Sequence, residues 1–143
     1  MDLGLRDKVV VVTGASKGIG YAAAKQFAEE GAQVLIAARG ETALTEASKK
    51  ILADTGVTVE AMPIDVSIVA DLDQLAKYTK ERFGRVDILV NNAGTGTYKP
   101  FLEVTNEDLE YGMAINFFAH FRLSQRLVPM MIEAGGGTII NVA

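Results

Sequence analysis

Four consecutive valines, Val9 to Val12, lead straight into Thr13-Gly14 with no charged residue between them. A β-branched run that is apolar on both faces suits a parallel strand covered by helices on either side. Beyond the following glycines the period changes. Ala23, Ala24, Phe27 and Ala28 recur at helical spacing as far as Glu30, and Gly31 supplies a natural stop. Gln33 to Arg39 reads as a second buried strand, Glu41 to Asp54 as a polar-faced helix closing near Gly56, and Val57 to Val66 as a third strand. The next helix, Asp71 to Phe83, sets Leu72, Leu75, Ala76 and Phe83 on one face and stops at Gly84; Val86 to Asn92 is the fourth strand.

Thr105-Asn106-Glu107-Asp108 has the form of a capping box, with a hydroxyl that caps and an acid that reaches back, and it opens a long helical region toward Ala134. Along it Leu109, Met113, Phe117 and Phe121, with Leu123, Leu127 and Met131, cover more than one stripe, which predicts contact with both the sheet and another surface. Gly135 to Gly137 end the helix, and Thr138 to Ala143 is the fifth strand. Strands alternating with helices through right-handed crossovers predict an α/β fold with an open, doubly wound parallel sheet. Residues 1–143 form a single domain without repeat or linker. Because the chain stops at the fifth strand and leaves an apolar edge uncovered, the expectation is a domain incomplete at its C-terminus. It would be the first part of a longer polypeptide, or a chain completed by a partner.

Composition narrows the classes. With 49% hydrophobic and 22% charged residues the chain can bury a core and is not disordered. A net charge of -4 leaves no basic footprint for nucleic acid. Cysteine is absent, Met1 to Lys8 has no apolar leader, and no run approaches a membrane span, so no membrane association and a cytoplasmic location are expected. His120 is the only histidine and the acids are scattered over helix faces, so no metal site is predicted.

Candidate chemistry begins at the turn after the valines. Gly14 permits a tight turn, Gly18 lets backbone N–H groups approach an anion, and Gly20 lets the new helix pack close to the strand. A helix N-terminus here offers unpaired donors and positive partial charge to a pyrophosphate. Ser16 adds a hydrogen-bond donor and Lys17 a cation. On its own such a turn also serves as a purely structural connection. Its G-x-x-x-G-x-G spacing departs from the commoner G-x-G-x-x-G, and no Lys-Ser or Lys-Thr pair follows the last glycine as in a Walker loop.

In dinucleotide-binding sheets, a residue about 20 positions beyond the glycines decides between a ribose 2′-hydroxyl, held by an acid, and a 2′-phosphate, held by arginine. Here that place holds Ala38-Arg39, and Lys17 lies on the same side of the crevice, so NADP(H) is expected over NAD. A solvated loop charge is the alternative for Arg39. Glu41, two residues later, is the rival acid but better suits the first turn of a helix. Asp65 ends the third strand at the carboxyl edge, where it could accept from an adenine amino group or cap the strand end. Asn91-Asn92-Ala93-Gly94 follows the fourth strand at the same edge, placed for a part in the site or for bonding its own loop.

Together, Thr13-Gly14-x-x-x-Gly18-Ile19-Gly20, Asp65-Val66 and Asn91-Asn92-Ala93-Gly94 resemble the short-chain dehydrogenase/reductase family, specifically its N-terminal cofactor-binding portion, over the whole chain. The resemblance implies a Rossmann-like sheet of order 3-2-1-4-5 and an NADP-preferring pair in Lys17 and Arg39. By the same likeness Asp65 and Val66 would contact adenine, and Asn92, Ala93 and Gly94 would line the adenosine ribose and phosphate side. The expected cofactor-binding set is Gly14, Ser16, Lys17, Gly18, Ile19, Gly20, Arg39, Asp65, Val66, Asn92, Ala93 and Gly94.

Asn116 stands in an apolar helical run where asparagine is a poor interior residue. The resemblance implies that it bends the helix and that its backbone carbonyl holds a water of the proton relay, making it the expected catalytic residue. A side chain satisfied by a neighbouring loop is the alternative. The family's chemistry is hydride transfer between nicotinamide and a carbonyl or alcohol, through a tyrosine, a lysine four residues later and a serine. None of these three can be assigned: the serine would follow Ala143. Tyr21 and Lys25 have the right spacing but sit just after the glycine turn, and are expected to be a helix surface pair.

The chain by itself is therefore expected to bind cofactor at most and to turn over poorly. Its substrate would be a ketone, a 3-oxoacyl thioester or a secondary alcohol, with Thr95 to Phe101 supplying one wall of the site. Competing readings are a non-catalytic dinucleotide-binding module and a truncated protein acting through subunit association. The resemblance implies a homo-oligomer, a dimer or tetramer, formed through the region of Phe117, Phe118 and Phe121, with packing on the sheet as the alternative use of those rings.

Overall fold

In the computed structural model, which describes residues 1–143, the valine run forms β1 (Val9–Thr13), buried at every position. Its alternation feeds two cores. Val10 and Val12 join Val34, Ile36 and Val90 beneath Ala24, Ala28, Leu44 and Ile51, whereas Val11 joins Leu35, Leu89, Leu72 and Leu127 on the opposite face. The helices that cover these faces follow the chain order α1 (Gly18–Glu29), α2 (Glu41–Thr55) and α3 (Val69–Phe83). With β2 (Gln33–Ala38), β3 (Glu60–Pro63), β4 (Ile88–Asn91) and β5 (Thr138–Asn141) they build one parallel sheet of order β3-β2-β1-β4-β5. The fold is the expected Rossmann-like, doubly wound α/β arrangement, and its switch point lies between β1 and β4. No helix is long and apolar enough to cross a membrane.

Several boundaries differ from the sequence pattern. The third strand is four residues long instead of spanning Val57 to Val66, because the Thr55 hydroxyl accepts the Val57 N–H and Pro63 has no N–H to continue the ladder. β4 is also shorter than expected. Asn92 gives its N–H to the Thr13 hydroxyl instead of the ladder, whereas the Asp87 backbone still bonds Val9 and Thr138. Gly56 and Gly84 end α2 and α3 in left-handed conformations, as their spacing predicts.

The long helix is not continuous. α4 (Asn106–Met113) opens with the predicted capping box, a π-helical segment occupies Ala114–Phe118, and α5 (Ala119–Glu133) follows with Pro129 inside it. Its apolar stripes part company there. Leu123, Leu127 and Met131 are buried with Ile115 and Ala119, whereas Phe117 and Phe121 are 55% and 61% exposed. The rings of Phe117 and Phe121 therefore do not pack on the sheet.

At the amino edge of the sheet Asp87 is buried to 7% exposure. Its carboxylate accepts the Val9 N–H at 2.9 Å and both Nε and Nη2 of Arg85, at 3.1 and 2.6 Å. Burial pushes this carboxyl up, but the Arg85 hydrogen bond and the Val9 N–H outweigh it and leave the group below its ordinary value.

Candidate functional site

The three glycines of the turn have different reasons to be glycine. Gly14 lies at φ +62°, and a Cβ there would stand 2.8 Å from the Ala93 Cα. A Cβ on Gly20 would overlap the Gly14 carbonyl oxygen and the Asn92 side-chain amide, so Gly20 makes room for the turn and for Asn92 and not, as its position predicts, for the strand. Gly18, at φ +60°, faces open space with no atom within 4 Å. Two glycines thus serve the protein's own packing, and the third leaves the backbone accessible from outside. α1 begins at Gly18, earlier than its apolar period predicts. Its N-cap residue Lys17 is extended and contributes no side-chain cap, so the first N–H groups of the helix remain available to an anion.

The opposite wall is the loop after β4, whose backbone has left the ladder and needs other partners. Thr13, buried at the end of β1, accepts the N–H groups of both Asn92 and Ala93 at 3.0 Å. The Asn92 amide donates to the Gly14 carbonyl at 3.1 Å, binding the two walls together. His120 Nε2 lies 2.9 Å from the Ala93 carbonyl, which fixes the proton on that nitrogen. Asn116 grips Thr95 on both sides, accepting its N–H at 2.9 Å and donating to its carbonyl at 2.7 Å. The Asn116 side chain is thus satisfied by a neighbouring loop, and it sits within the π-helical segment, a distortion frequent at functional sites.

Between these walls lies a cleft of about 430 Å³. Gly14, Ser16, Lys17 and Gly18 line one side, Arg39 and Gly40 at the end of β2 another, and Asn92, Ala93, Gly94, Thr95 and Ile115 the third, with Ile64 and Val66 as apolar floor. Two cations border the cleft and no carboxylate does. Arg39 Nη1 donates to the Tyr111 hydroxyl at 2.6 Å.

Asn116 and three of the expected cofactor-binding residues stand outside this lining. Ile19 is exposed, Gly20 is buried beneath the turn, and Asp65 is engaged locally. Its Oδ1 accepts the N–H and hydroxyl of Ser67 at 2.9 and 2.6 Å, and its own N–H donates to Asp71 at 2.8 Å. Asp65 thus bonds its own loop at the strand end. Asn91 faces away from the cleft, donating to Ser124 and Asn141 at 3.1 and 2.9 Å.

Tyr21 and Lys25 are not a pair. Lys25 bonds Asp54 at 3.2 Å, which raises its pKa, and Tyr21 lies under the Lys50 ammonium, because α2 packs over this part of α1 and offers each a nearer partner. The sequence motif includes Thr13 without giving it a partner, and Tyr111 and the loop-holding part of His120 went unread. A polar residue closing an apolar strand was a usable signal for Thr13, and four-residue spacing from Asn116 for His120. Tyr111 gave none.

Known proteins resemble this chain over nearly its full length. A family model described as short chain dehydrogenase matches residues 8–143. A fatty acyl-CoA reductase of Mycobacterium tuberculosis is 40% identical over 141 residues, covering 97% of this chain and 48% of that protein. The L-sorbose reductase of Gluconobacter frateurii, solved with NADPH and L-sorbose, superimposes with a TM-score of 0.92 at 40% identity, over 97% of this chain and 53% of that one. An actinorhodin polyketide ketoreductase solved with NADPH gives 0.90 at 34% identity, over 96% and 53%. The chain spans about half the length of the relatives it matches.

Proposed function

Because the chain belongs to the short-chain dehydrogenase family, whose model matches residues 8–143, we propose that it holds the NADP(H) of an oxidoreductase acting between a carbonyl and an alcohol. The observation that carries this reading is a glycine turn open at Gly18 beside a cleft with two cations, Lys17 and Arg39, and no carboxylate. Family relatives solved with NADPH support it.

The residues suit such a ligand. The free N–H groups at the start of α1 face the place of a pyrophosphate, with Ser16 beside them. Lys17 and Arg39 suit a 2′-phosphate, and an acid at the end of β2, which would prefer the 2′-hydroxyl, is absent. Val66 and Ile115 offer apolar surface to the adenine. Asp65 can contribute only through the carboxylate oxygen not bound to Ser67. Asn92, Ala93 and Gly94 line the ribose and phosphate side, held there by Thr13, His120 and Asn116. When bound, the cofactor would supply the hydride to a carbonyl or accept it from an alcohol. Asn116 is assigned to the proton relay through its backbone carbonyl, while its side chain keeps the loop in place. A ketone, a 3-oxoacyl thioester or a secondary alcohol is the proposed substrate class. The exposed Phe117, Phe118 and Phe121 are assigned to contact with a second copy of the chain.

Fluorescence titration with NADPH and NADH tests the reading. The protein should prefer NADPH by about ten- to a hundredfold, and replacing Arg39 or Lys17 with glutamine should erase most of that preference, since a charge-assisted contact contributes roughly 1.5–3 kcal/mol. Equal or tighter binding of NADH would overturn it.

A further inference from the structure

Arg39 follows β2 and lines the cleft, whereas Tyr111 lies on α4, just outside that lining. A hydrogen bond of 2.6 Å from Arg39 Nη1 to the Tyr111 hydroxyl joins α4 to this cleft residue. The Tyr111 hydroxyl accepts in this bond, and its own proton has no protein acceptor. The guanidinium has five N–H donors in a rigid fork, of which Tyr111 engages one.

α4 itself buries no residue, so the place of Tyr111 depends on ties at its two ends. At the start these are the Thr105–Asp108 capping box and the Lys99–Asp108 pair at 2.7 Å. At the far end Asn116 holds Thr95. Tyr111 is therefore presented to Arg39 by a held frame and not by a chance surface encounter.

We propose that Tyr111 is a specificity-determining residue of the dinucleotide site: it orients Arg39 and, through its free O–H, joins Lys17 and Arg39 around a phosphate monoester. This rests on the NADP(H) reading above. A phosphate dianion accepts from an ammonium, a guanidinium fork and a phenol together. A ribose hydroxyl in the same place is neutral and gains little from any of them.

The test is Tyr111→Phe, which keeps the ring and removes only the hydroxyl, titrated with NADPH and NADH beside Arg39→Gln. Tyr111→Phe should weaken NADPH roughly tenfold and leave NADH within about twofold, as expected for loss of one hydrogen bond to a charged group. Unchanged NADPH binding in Tyr111→Phe, with the preference lost in Arg39→Gln, would overturn the role of Tyr111 and leave the cofactor reading standing. An equal loss for both cofactors would also overturn it, since the hydroxyl would then act on the cleft's shape. If neither variant alters the ratio, the NADP(H) reading itself fails.

Discussion

The two edges of the sheet solve the problem of polar groups in opposite ways. At the amino edge the buried Asp87 is satisfied by the protein's own groups, the Val9 N–H and the Arg85 fork. At the carboxyl edge the N–H groups opening α1 have no side-chain cap, Gly18 faces open space, and Lys17 lies exposed beside the cleft. Parallel strands place every helix N-terminus at that edge, so its unpaired donors and positive potential collect where β1 and β4 diverge. Stability and binding should therefore separate between the two edges.

The largest expected effect breaks the closed edge. Asp87→Ala leaves the buried Val9 N–H and the Arg85 guanidinium without their partner, and should cost about 2–4 kcal/mol in urea unfolding while leaving NADPH affinity nearly unchanged. A variant as stable as the parent would show that the amino edge is not where stability is held.

The open edge should respond the other way. In Gly18→Ala the φ of +60° costs about 1–2 kcal/mol, but the new methyl enters the space left for an anion, so NADPH affinity should fall about tenfold or more. Unchanged binding there would mean that Gly18 serves conformation alone.

The smallest effect sharpens the contrast between the buried Asp87 and the half-buried Asp108. The Lys99 hydrogen bond, with the Thr105 N–H, holds the half-buried Asp108 down at about 2, below its ordinary 3.8. A lowered carboxylate stabilises the fold above its unfolded value and loses that contribution as pH falls through the folded one. The difference in melting temperature between the parent and Asp108→Asn should thus be full above about pH 5 and fade toward pH 2. A difference that persists at pH 2 would assign the effect to the neutral capping bond instead of the charge.

Residues 1–143 disclosed by themselves whatever depends on near neighbours along the chain. Apolar runs marked the five strands and apolar residues at helical spacing the helices, the glycines marked where α2 and α3 stop, and Thr105 with Asp108 marked the start of α4. The glycine turn and Arg39 were legible as an anion site for the same reason: backbone freedom and charge belong to the residue itself. Tertiary structure alone decided which side chains serve that site. Thr13 meets Ala93 across 80 residues, Arg39 meets Tyr111 across 72, and α2 takes Tyr21 and Lys25 away from each other. Such partners follow from the register of the parallel strands and the layering of helices, which no local pattern encodes. The π-helical break at Asn116 has the same origin, because Thr95, which its amide holds, is brought there by β4.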